Sequence, residues 1–181
     1  MGKLVSISVR SAERQVPADG PADVVIPEYN IIVTGSILGR GVSLWSNVNI
    51  YGAQIGENTR IGAFVEIRKG VKIGSNVKIE PFVFIPEGVT VEDGVFIGPG
   101  AVFTNDVFPR ATGPDGRLTQ EYDPVPTLIK RRASIGAGAC IRCGVTVGEE
   151  AMIGMGAVIV SDVPPKAVVY GEKAAVRRYL P

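Results

Sequence analysis

The chain has 181 residues, 19 Lys and Arg against 18 Asp and Glu, a formal net charge of +1 and no histidine. At this length one domain is the default expectation. Charges of both signs are intermingled without a basic stripe, which disfavours nucleic-acid binding, and no apolar run approaches the ~20 residues of a membrane span.

The N-terminal segment, residues 1–25, lacks the repeat that follows it. Its start, MGKLVSISVRSAERQ, has neither the apolar core nor the cleavage site of a secretory signal peptide. We therefore expect a cytoplasmic protein.

A repeat of six residues dominates the chain. Isoleucine occupies every sixth position of residues 55–79, and a β-branched residue such as Val65 or Val71 stands four positions after each isoleucine. Turn-forming Gly, Asn, Ser or Asp lies in between. Neither an amphipathic helix nor an alternating strand has this period. Short strands joined by turns, with β-branched residues inside, are typical of a parallel β-helix, so we predict an all-β fold of this kind.

The repeat predicts coils over residues 26–103 and 135–163, with about six turns of three short strands each. The period of six is broken once in the first block, by a step of five residues from Ile50 to Ile55. Besides the five isoleucines above, the inward residues expected in this block are Ile26, Ile32, Leu38, Leu44, Ile50, Ile85, Val91, Ile97 and Phe103. Those expected in the second block are Ile135, Ile141, Val147, Ile153 and Ile159. Residues 164–181 form a short C-terminal extension.

Residues 104–134, TNDVFPRATGPDGRLTQEYDPVPTLIKRRAS, interrupt the repeat with prolines, glycines and charges. A structureless segment this long inside a compact domain is usually functional or disordered. We expect an inserted loop that closes a site, with a tolerated surface insertion as the alternative. The insertion has an apolar pair near each end, Val107-Phe108 and Leu128-Ile129, and the second pair precedes Lys130. Apolar residues beside a cation are suited to contact a neighbouring chain or an anionic ligand.

The two cysteines form a C-x-x-C sequence, Cys140 and Cys143. They occupy different positions of the repeat, so their side chains should diverge. Zinc would need further ligands, and histidine is absent. We expect two reduced thiols and no metal.

Three stretches resemble the left-handed β-helix acyltransferases: EDGVFIGPGAVFTND at 92–106, DPVPTLIKRRASIGAGACIRCGVTVG at 123–148 and MIGMGAVIVSDVPPKAVVYGEKA at 152–174. Within that family they look most like the nucleotide-sugar amine N-acetyltransferases, which act on UDP- or dTDP-linked 3-amino sugars in surface-polysaccharide biosynthesis. The resemblance implies a left-handed coil, a homotrimer and acetyl-CoA bound between adjacent coils. It also implies that the Asn of the F-T-N motif, Asn105, contacts the amine that reacts.

The same resemblance places the sugar nucleotide near residues 80–86, which makes Glu80 and Phe82 candidate substrate-binding residues. Relatives have a polar stretch there, whereas this chain reads EPFVFIP, which leaves the acceptor open. Arg131 and Arg132, near the end of the insertion, are candidates for the diphosphate by charge.

Small residues at the coil edges, Gly138-Ala139 and Gly156-Ala157, would let an extended pantetheine approach the backbone, although they are equally typical of tight coil packing. Lys166 and Lys173 follow the last full coils. Both are candidates for the phosphates of acetyl-CoA by charge alone.

The absence of histidine favours an amine acceptor over a hydroxyl. A sugar hydroxyl needs a positioned base during attack, whereas a neutral amine attacks a thioester directly and the departing thiolate accepts its proton. Asn105 would accept a hydrogen bond from the amine and orient its lone pair. The alternative for Asn105 is a turn residue, and Glu80 and Glu87 are either auxiliary bases or solvated carboxylates.

Two other functions remain open: O-acetylation of a sugar or small molecule, and a non-catalytic β-helix scaffold. Binding of acetyl-CoA separates a catalyst from a scaffold. A γ-type carbonic anhydrase shares the fold but needs histidine ligands, which this chain lacks.

Overall fold

A computed structural model describes residues 4–10, 12–18, 20–119 and 122–171. These residues form a left-handed parallel β-helix of about 8 turns, which confirms the predicted all-β fold. Within those ranges the one helical element is a 3-10 turn at Pro27–Tyr29. None of the helical structure in this part of the chain is long and apolar enough to span a membrane. The turns outnumber the six expected because strands outside the two predicted blocks also join the coils.

Each turn crosses three faces, and most strands pair in parallel with the strands one turn before and after. Face 1 contains Ser43–Leu44, Arg60–Ile61, Lys78–Ile79, Phe96–Ile97, Ser134–Ile135, Met152–Ile153 and Val168–Val169. Face 2 contains the first part of Ile31–Leu38, then Val48–Tyr51, Glu66–Ile67, Phe84–Ile85, Val102–Phe103, Cys140–Ile141 and Val158–Ile159. Face 3 contains the last part of Ile31–Leu38, then Gln54–Ile55, Lys72–Ile73, Val89–Val91, Thr127–Ile129 and Thr146–Val147. The three corners are called edge 1–2, edge 2–3 and edge 3–1 after the faces they join.

The core is a stack of inward aliphatic side chains in register. Ile61, Ile79 and Ile97 pair in successive turns of face 1, and the five isoleucines of residues 55–79 are at most 4% exposed. Burial of each such side chain contributes roughly 1.5–3 kcal/mol of hydrophobic stabilisation. At the corners the chain adopts left-handed backbone angles, as at Asn76 (φ 57°) on edge 3–1. Gly and Asn are the residues that adopt this conformation most easily, which explains the composition of the turns.

The coil begins differently from the prediction. Ile32 is 45% exposed, whereas Ile31 and Val33 are buried, so the inward position expected at Ile32 is wrong. The reason is that Ile31–Leu38 is a long strand with a period of two, which pairs antiparallel with Ala22–Ile26. Ile26 is buried as predicted, but in this antiparallel hairpin and not on a coil.

The N-terminal segment also contributes to the coil. Strand Leu4–Val9 pairs antiparallel with Ala12–Pro17 and parallel with Ser43–Leu44. The segment therefore extends face 1 by two strands instead of lying apart from the repeat.

The insertion is shorter than residues 104–134 at its C-terminal end. Thr127–Ile129 forms a strand of face 3 between Val89–Val91 and Thr146–Val147. Ile129, expected at a docking end of the loop, is fully buried in the core. The insertion therefore leaves the coil at edge 2–3 after Phe103 and returns at Thr127.

Candidate active site

Edge 2–3 carries a row of polar side chains where the chain leaves face 2. Arg68, Glu87 and Asn105 each follow, by one or two residues, the inward residue of a face 2 strand in three successive turns. Because these strands stack in parallel register, the corner residues lie above one another. Tyr122 approaches them from the insertion. We call these four residues the Asn105 cluster.

Three hydrogen bonds close a ring within the Asn105 cluster. Asn105 Nδ2 donates to Glu87 Oε2 at 3.3 Å and to Tyr122 Oη at 3.0 Å. The Tyr122 hydroxyl donates to the same Glu87 Oε2 at 3.0 Å. The NH2 group of the Asn105 amide thus faces Glu87 and Tyr122. Among the residues that the structure describes, none donates to Asn105 Oδ1, so this oxygen is the acceptor that the residue offers to a ligand.

The second oxygen of the Glu87 carboxylate faces Arg68. Arg68 Nε donates to Glu87 Oε1 at 3.1 Å, and its guanidinium lies over the Tyr51 ring with Cζ 5.1 Å from the centroid. Tyr51 Oη in turn donates to Glu66 Oε1 at 3.3 Å. Both oxygens of Glu87 are therefore hydrogen-bonded, which holds the carboxylate in one orientation.

Electrostatics keep Glu87 ionised. Partial burial raises the pKa of its carboxyl, but the hydrogen bonds from its own backbone and from Tyr122, together with the Arg68 charge, outweigh burial and lower the pKa below the ordinary 4.5. For Arg68, burial opposes the charged form, yet Glu87, Tyr51 and Glu66 together outweigh burial and raise the pKa of the guanidinium. An ionised carboxylate only accepts hydrogen bonds, so the Asn105 group that faces Glu87 must be the NH2.

The insertion encloses an open cavity of about 530 Å³ beside the cluster. Its walls include Asp106, which follows Asn105, and Tyr122, together with Phe108 and Arg110. Apolar, aromatic and cationic side chains thus line a space whose wall includes Tyr122, the partner of the Asn105 amide. Such a mixture is usual for sites that bind small molecules.

Glu80 and Phe82 lie at another corner, edge 1–2, separated from Asn105 by face 2. Lys78 Nζ is 2.7 Å from Glu80 Oε1, and the Phe82 ring stacks on Phe64 with centroids 5.0 Å apart. Glu80 also lines a cavity of about 380 Å³ together with Trp45. The two predicted substrate residues are thus near each other but not near Asn105 within one chain.

The small residues predicted for the cofactor divide into two kinds. Gly138 and Gly156 lie on edge 1–2 with positive φ, and a Cβ added at either would meet nothing within 4 Å. By contrast, Ala139 and Ala157 are inward core residues, 0% and 1% exposed. Their side chains face the core, so the approach of pantetheine to the backbone at these two positions stays a prediction.

The predicted cations lie on edge 3–1, separated from Asn105 by face 3. Arg131 Nη2 lies 3.0 Å from Glu149 Oε1, and Arg132 Nη1 lies 3.1 Å from Glu150 Oε1. Lys166 Nζ is 3.9 Å from the other oxygen of Glu150. A phosphate would therefore compete with these carboxylates. Lys173 lies outside the described residues.

The cysteines behave as free thiols. Cys140 is exposed on face 2, whereas Cys143 is buried. Among the described residues, no group of three or more Cys, Asp or Glu side chains is placed to hold a metal ion.

Sequence reasoning missed Arg68 and Tyr122. Glu87 had a detectable signal, because it stands 18 residues before Asn105, which is one full turn of three repeats. Arg68 stands 19 residues before Glu87, one more than a full turn, so the period alone does not place it. Tyr122 belongs to a segment without periodicity, so no spacing in the sequence places it against the coil.

Comparison with known families identifies the repeat. A family described as bacterial transferase hexapeptide (six repeats) matches residues 52–87 and 70–105, and the hexapeptide repeat of succinyl-transferase matches residues 126–161. Residues 52–105 are therefore similar to the bacterial transferase hexapeptide repeat. The matched segments include every residue of the Asn105 cluster except Tyr122.

Three proteins similar to this chain are acetyltransferases by name. The dTDP-3-amino-3,6-dideoxy-alpha-D-galactopyranose 3-N-acetyltransferase of Aneurinibacillus thermoaerophilus is 43% identical over 54 residues, which is 30% of this chain and 28% of that protein. Thus the chain spans well under two thirds of this curated relative. A hexapeptide-repeat acetyltransferase of Vibrio cholerae, solved with acetyl coenzyme A, is 27% identical with a TM-score of 0.54 and covers 72% of each chain. A galactoside acetyltransferase solved with coenzyme A is 28% identical with a TM-score of 0.55, covering 66% of this chain and 60% of that one.

Proposed function

We propose that this protein transfers an acetyl group from acetyl-CoA to the amine of a nucleotide-linked amino sugar. The observation that carries the proposal is the Asn105 amide, which is fixed by Glu87 and Tyr122 and whose Oδ1 accepts no hydrogen bond from any described residue. The Aneurinibacillus thermoaerophilus relative is an N-acetyltransferase of a dTDP-linked 3-amino sugar, and two similar structures hold acetyl-CoA or CoA. These likenesses support the same chemistry.

The reaction needs no histidine base. The amine nitrogen attacks the thioester carbonyl, the C–S bond breaks, and the proton of the new ammonium passes to the departing thiolate. The products are an N-acetyl sugar and CoA with a free thiol. Asn105 Oδ1 accepts one amine N–H and thereby directs the nitrogen lone pair at the carbonyl, which is a contribution from orientation. Because no proton moves to Asn105, an amide is sufficient for this role.

For acetyl-CoA we propose the open column on edge 1–2 that includes Gly138 and Gly156, where a pantetheine chain can reach the backbone. Lys166 and Lys173 remain candidates for its phosphates, and Glu80, Phe82, Arg131 and Arg132 remain candidates for the acceptor. Gly156→Glu fills the open space, so it should weaken acetyl-CoA binding in isothermal titration. Unchanged affinity would place the cofactor elsewhere.

The candidate residues occupy all three edges, so we propose a homotrimer in which neighbouring chains complete the site. Outward residues of face 2 support this assembly, since Phe84, Val102 and Val158 form a column that is 39%, 44% and 69% exposed. A closed cyclic arrangement covers such a face without forming fibres. Light scattering at micromolar concentration should give three times the mass of the chain, and a monomer would contradict the proposal. We further propose a cytoplasmic step in the synthesis of a cell-surface glycan.

The test is a thiol-release assay with acetyl-CoA and a panel of UDP- and dTDP-linked amino sugars, each paired with the corresponding hydroxyl sugar. Asn105→Ala should reduce turnover about 10²-fold while acetyl-CoA binding is retained, as expected for loss of a positioning contact. The similarity to a galactoside acetyltransferase favours O-acetylation as the second candidate. Turnover of hydroxyl sugars without turnover of amines would establish that alternative and refute the amine proposal. Failure to bind acetyl-CoA would instead indicate a scaffold.

A further inference from the structure

We infer that Glu87 and Tyr122 are positioning residues that lock the Asn105 amide in the orientation needed for transfer. The inference rests on the proposed function for its catalytic consequence. The lock itself is a property of the contacts within the Asn105 cluster. Glu87 therefore serves neither as an auxiliary base nor as a solvated carboxylate.

The ring of hydrogen bonds leaves the amide one orientation. In the observed orientation the NH2 group of Asn105 donates to Glu87 Oε2 and to Tyr122 Oη. Rotating the amide by half a turn would bring Oδ1 against an ionised carboxylate, where two acceptors repel. The lock therefore keeps Oδ1 turned away from Glu87, where it can accept a hydrogen bond from the amine N–H of the acceptor sugar.

The orientation of Glu87 is itself enforced from the other side. Arg68 Nε donates to Oε1 at 3.1 Å, so the carboxylate cannot turn away from the ring without losing an ion pair. The Glu87 side chain is 21% exposed and Arg68 36% exposed, so water screens this pair only in part. The lock thus joins two coil turns to the returning arm of the insertion.

Tyr122 gives the lock a second purpose, which is to position the insertion. Its hydroxyl both donates to Glu87 and accepts from Asn105, although the residue stands 35 positions from Glu87. It also lines the cavity enclosed by the insertion. The wall of that cavity and the Asn105 amide are therefore held by the same hydroxyl group.

The experiment uses two nearly isosteric variants, Glu87→Gln and Tyr122→Phe. A glutamine can donate to Oδ1 as well as accept from Nδ2, so Glu87→Gln permits both orientations of the amide. Each variant should lower kcat for the amino-sugar acceptor by about 10-fold to 10²-fold and leave KM for acetyl-CoA unchanged. The matched control is Glu66→Gln, because Glu66 also contacts Arg68, at 3.4 Å, but not Asn105. It should retain wild-type kcat.

A double variant separates positioning from general structural damage. If Glu87 acts through Asn105, Glu87→Gln in an Asn105→Ala background should reduce kcat no further. Losses that multiply across the two substitutions, or a kcat of Glu87→Gln equal to that of the wild type, would overturn the inference.

A measurement that needs no substrate turnover tests the orientation of the Asn105 amide separately from the proposed function. In an ¹⁵N spectrum, the two side-chain N–H signals of Asn105 should shift and exchange faster with solvent in Glu87→Gln, but not in Glu66→Gln. If the wild type acetylates no amino sugar and these shifts still occur, the proposed function fails and the lock stands. If the wild type is active and the signals are unchanged in Glu87→Gln, the lock is refuted.

Discussion

Two threonines at the same position of the repeat should respond in opposite ways to replacement by valine. Thr59 and Thr127 each stand two residues before an inward isoleucine, where most turns have valine, and they are 0% and 2% exposed. Thr59 Oγ1 donates to Gly74 O at 2.8 Å and accepts from Val77 N at 3.2 Å. Among the described residues, Thr127 Oγ1 has no hydrogen-bond partner.

The size of each effect follows from these contacts. A net hydrogen bond inside a protein contributes about 1 kcal/mol, so Thr59→Val should lower the free energy of unfolding by up to about 2 kcal/mol. Part of that loss can be recovered if Val77 N donates directly to Gly74 O once the hydroxyl between them is gone. The corresponding backbone groups of another turn do so, since Ala151 N donates to Gly148 O at 3.2 Å. A buried hydroxyl without a partner costs roughly 1–3 kcal/mol. Thr127→Val should therefore raise the free energy of unfolding by about that amount.

Equilibrium unfolding in urea, followed by circular dichroism at one fixed protein concentration, measures both variants against the wild type. The midpoint should fall for Thr59→Val and rise for Thr127→Val, while the slope of each transition stays unchanged. The two substitutions remove the same atoms from equivalent positions, so the difference in sign isolates the hydrogen bonds. A lower midpoint for Thr127→Val, or a higher midpoint for Thr59→Val, would refute the reasoning.

Two further predictions concern corners of the coil. Gly136→Ala should destabilise the protein by about 1–3 kcal/mol or more through overpacking, because the new Cβ would lie 2.5 Å from backbone atoms of the next turn. In Gly138→Ala the new Cβ meets open space, so the free energy of unfolding should fall only by the ~1–2 kcal/mol of left-handed strain. A lower urea midpoint for Gly138→Ala than for Gly136→Ala would contradict this prediction. Glu87→Gln should lower the urea midpoint at neutral pH, and the loss should shrink as pH falls below 4.5 towards the lowered pKa of the folded carboxyl. A loss of constant size from neutral to acid pH would show that the charge of Glu87 is not its source.

The fold could be predicted because its core repeats one physical requirement. An inward aliphatic residue every six positions leaves few other structures for residues 55–103, and the structure buries those positions as expected. Ile129 was within reach of the same reasoning, since it stands six residues before Ile135. The prolines and charges around it hid that register. Ile32 failed for a different reason, because a long strand with a period of two places it on the outer surface.

The site could be predicted only where it follows the repeat. Asn105 and Glu87 are one turn apart, so the period brings their backbones together. Tyr122 reaches them from an insertion whose path depends on local turns, such as the pairing of Thr112 with Leu118. No residue spacing encodes that contact, although it fixes the amide on which the proposed reaction depends.

The separation of the candidate residues over three edges follows from the shape of the coil. Side chains that alternate along a short strand point either into the core or out from a face, and only the corners present a backbone that ligands can approach. Asn105 on edge 2–3 and Gly156 on edge 1–2 are therefore kept apart by face 2 in any one chain. In a closed ring with heterologous contacts, each chain meets its neighbour through two different surfaces. In the proposed homotrimer, one chain's edge 2–3 can then face another chain's edge 1–2, which would bring Asn105 Oδ1 of one chain near the proposed acetyl-CoA column of the next.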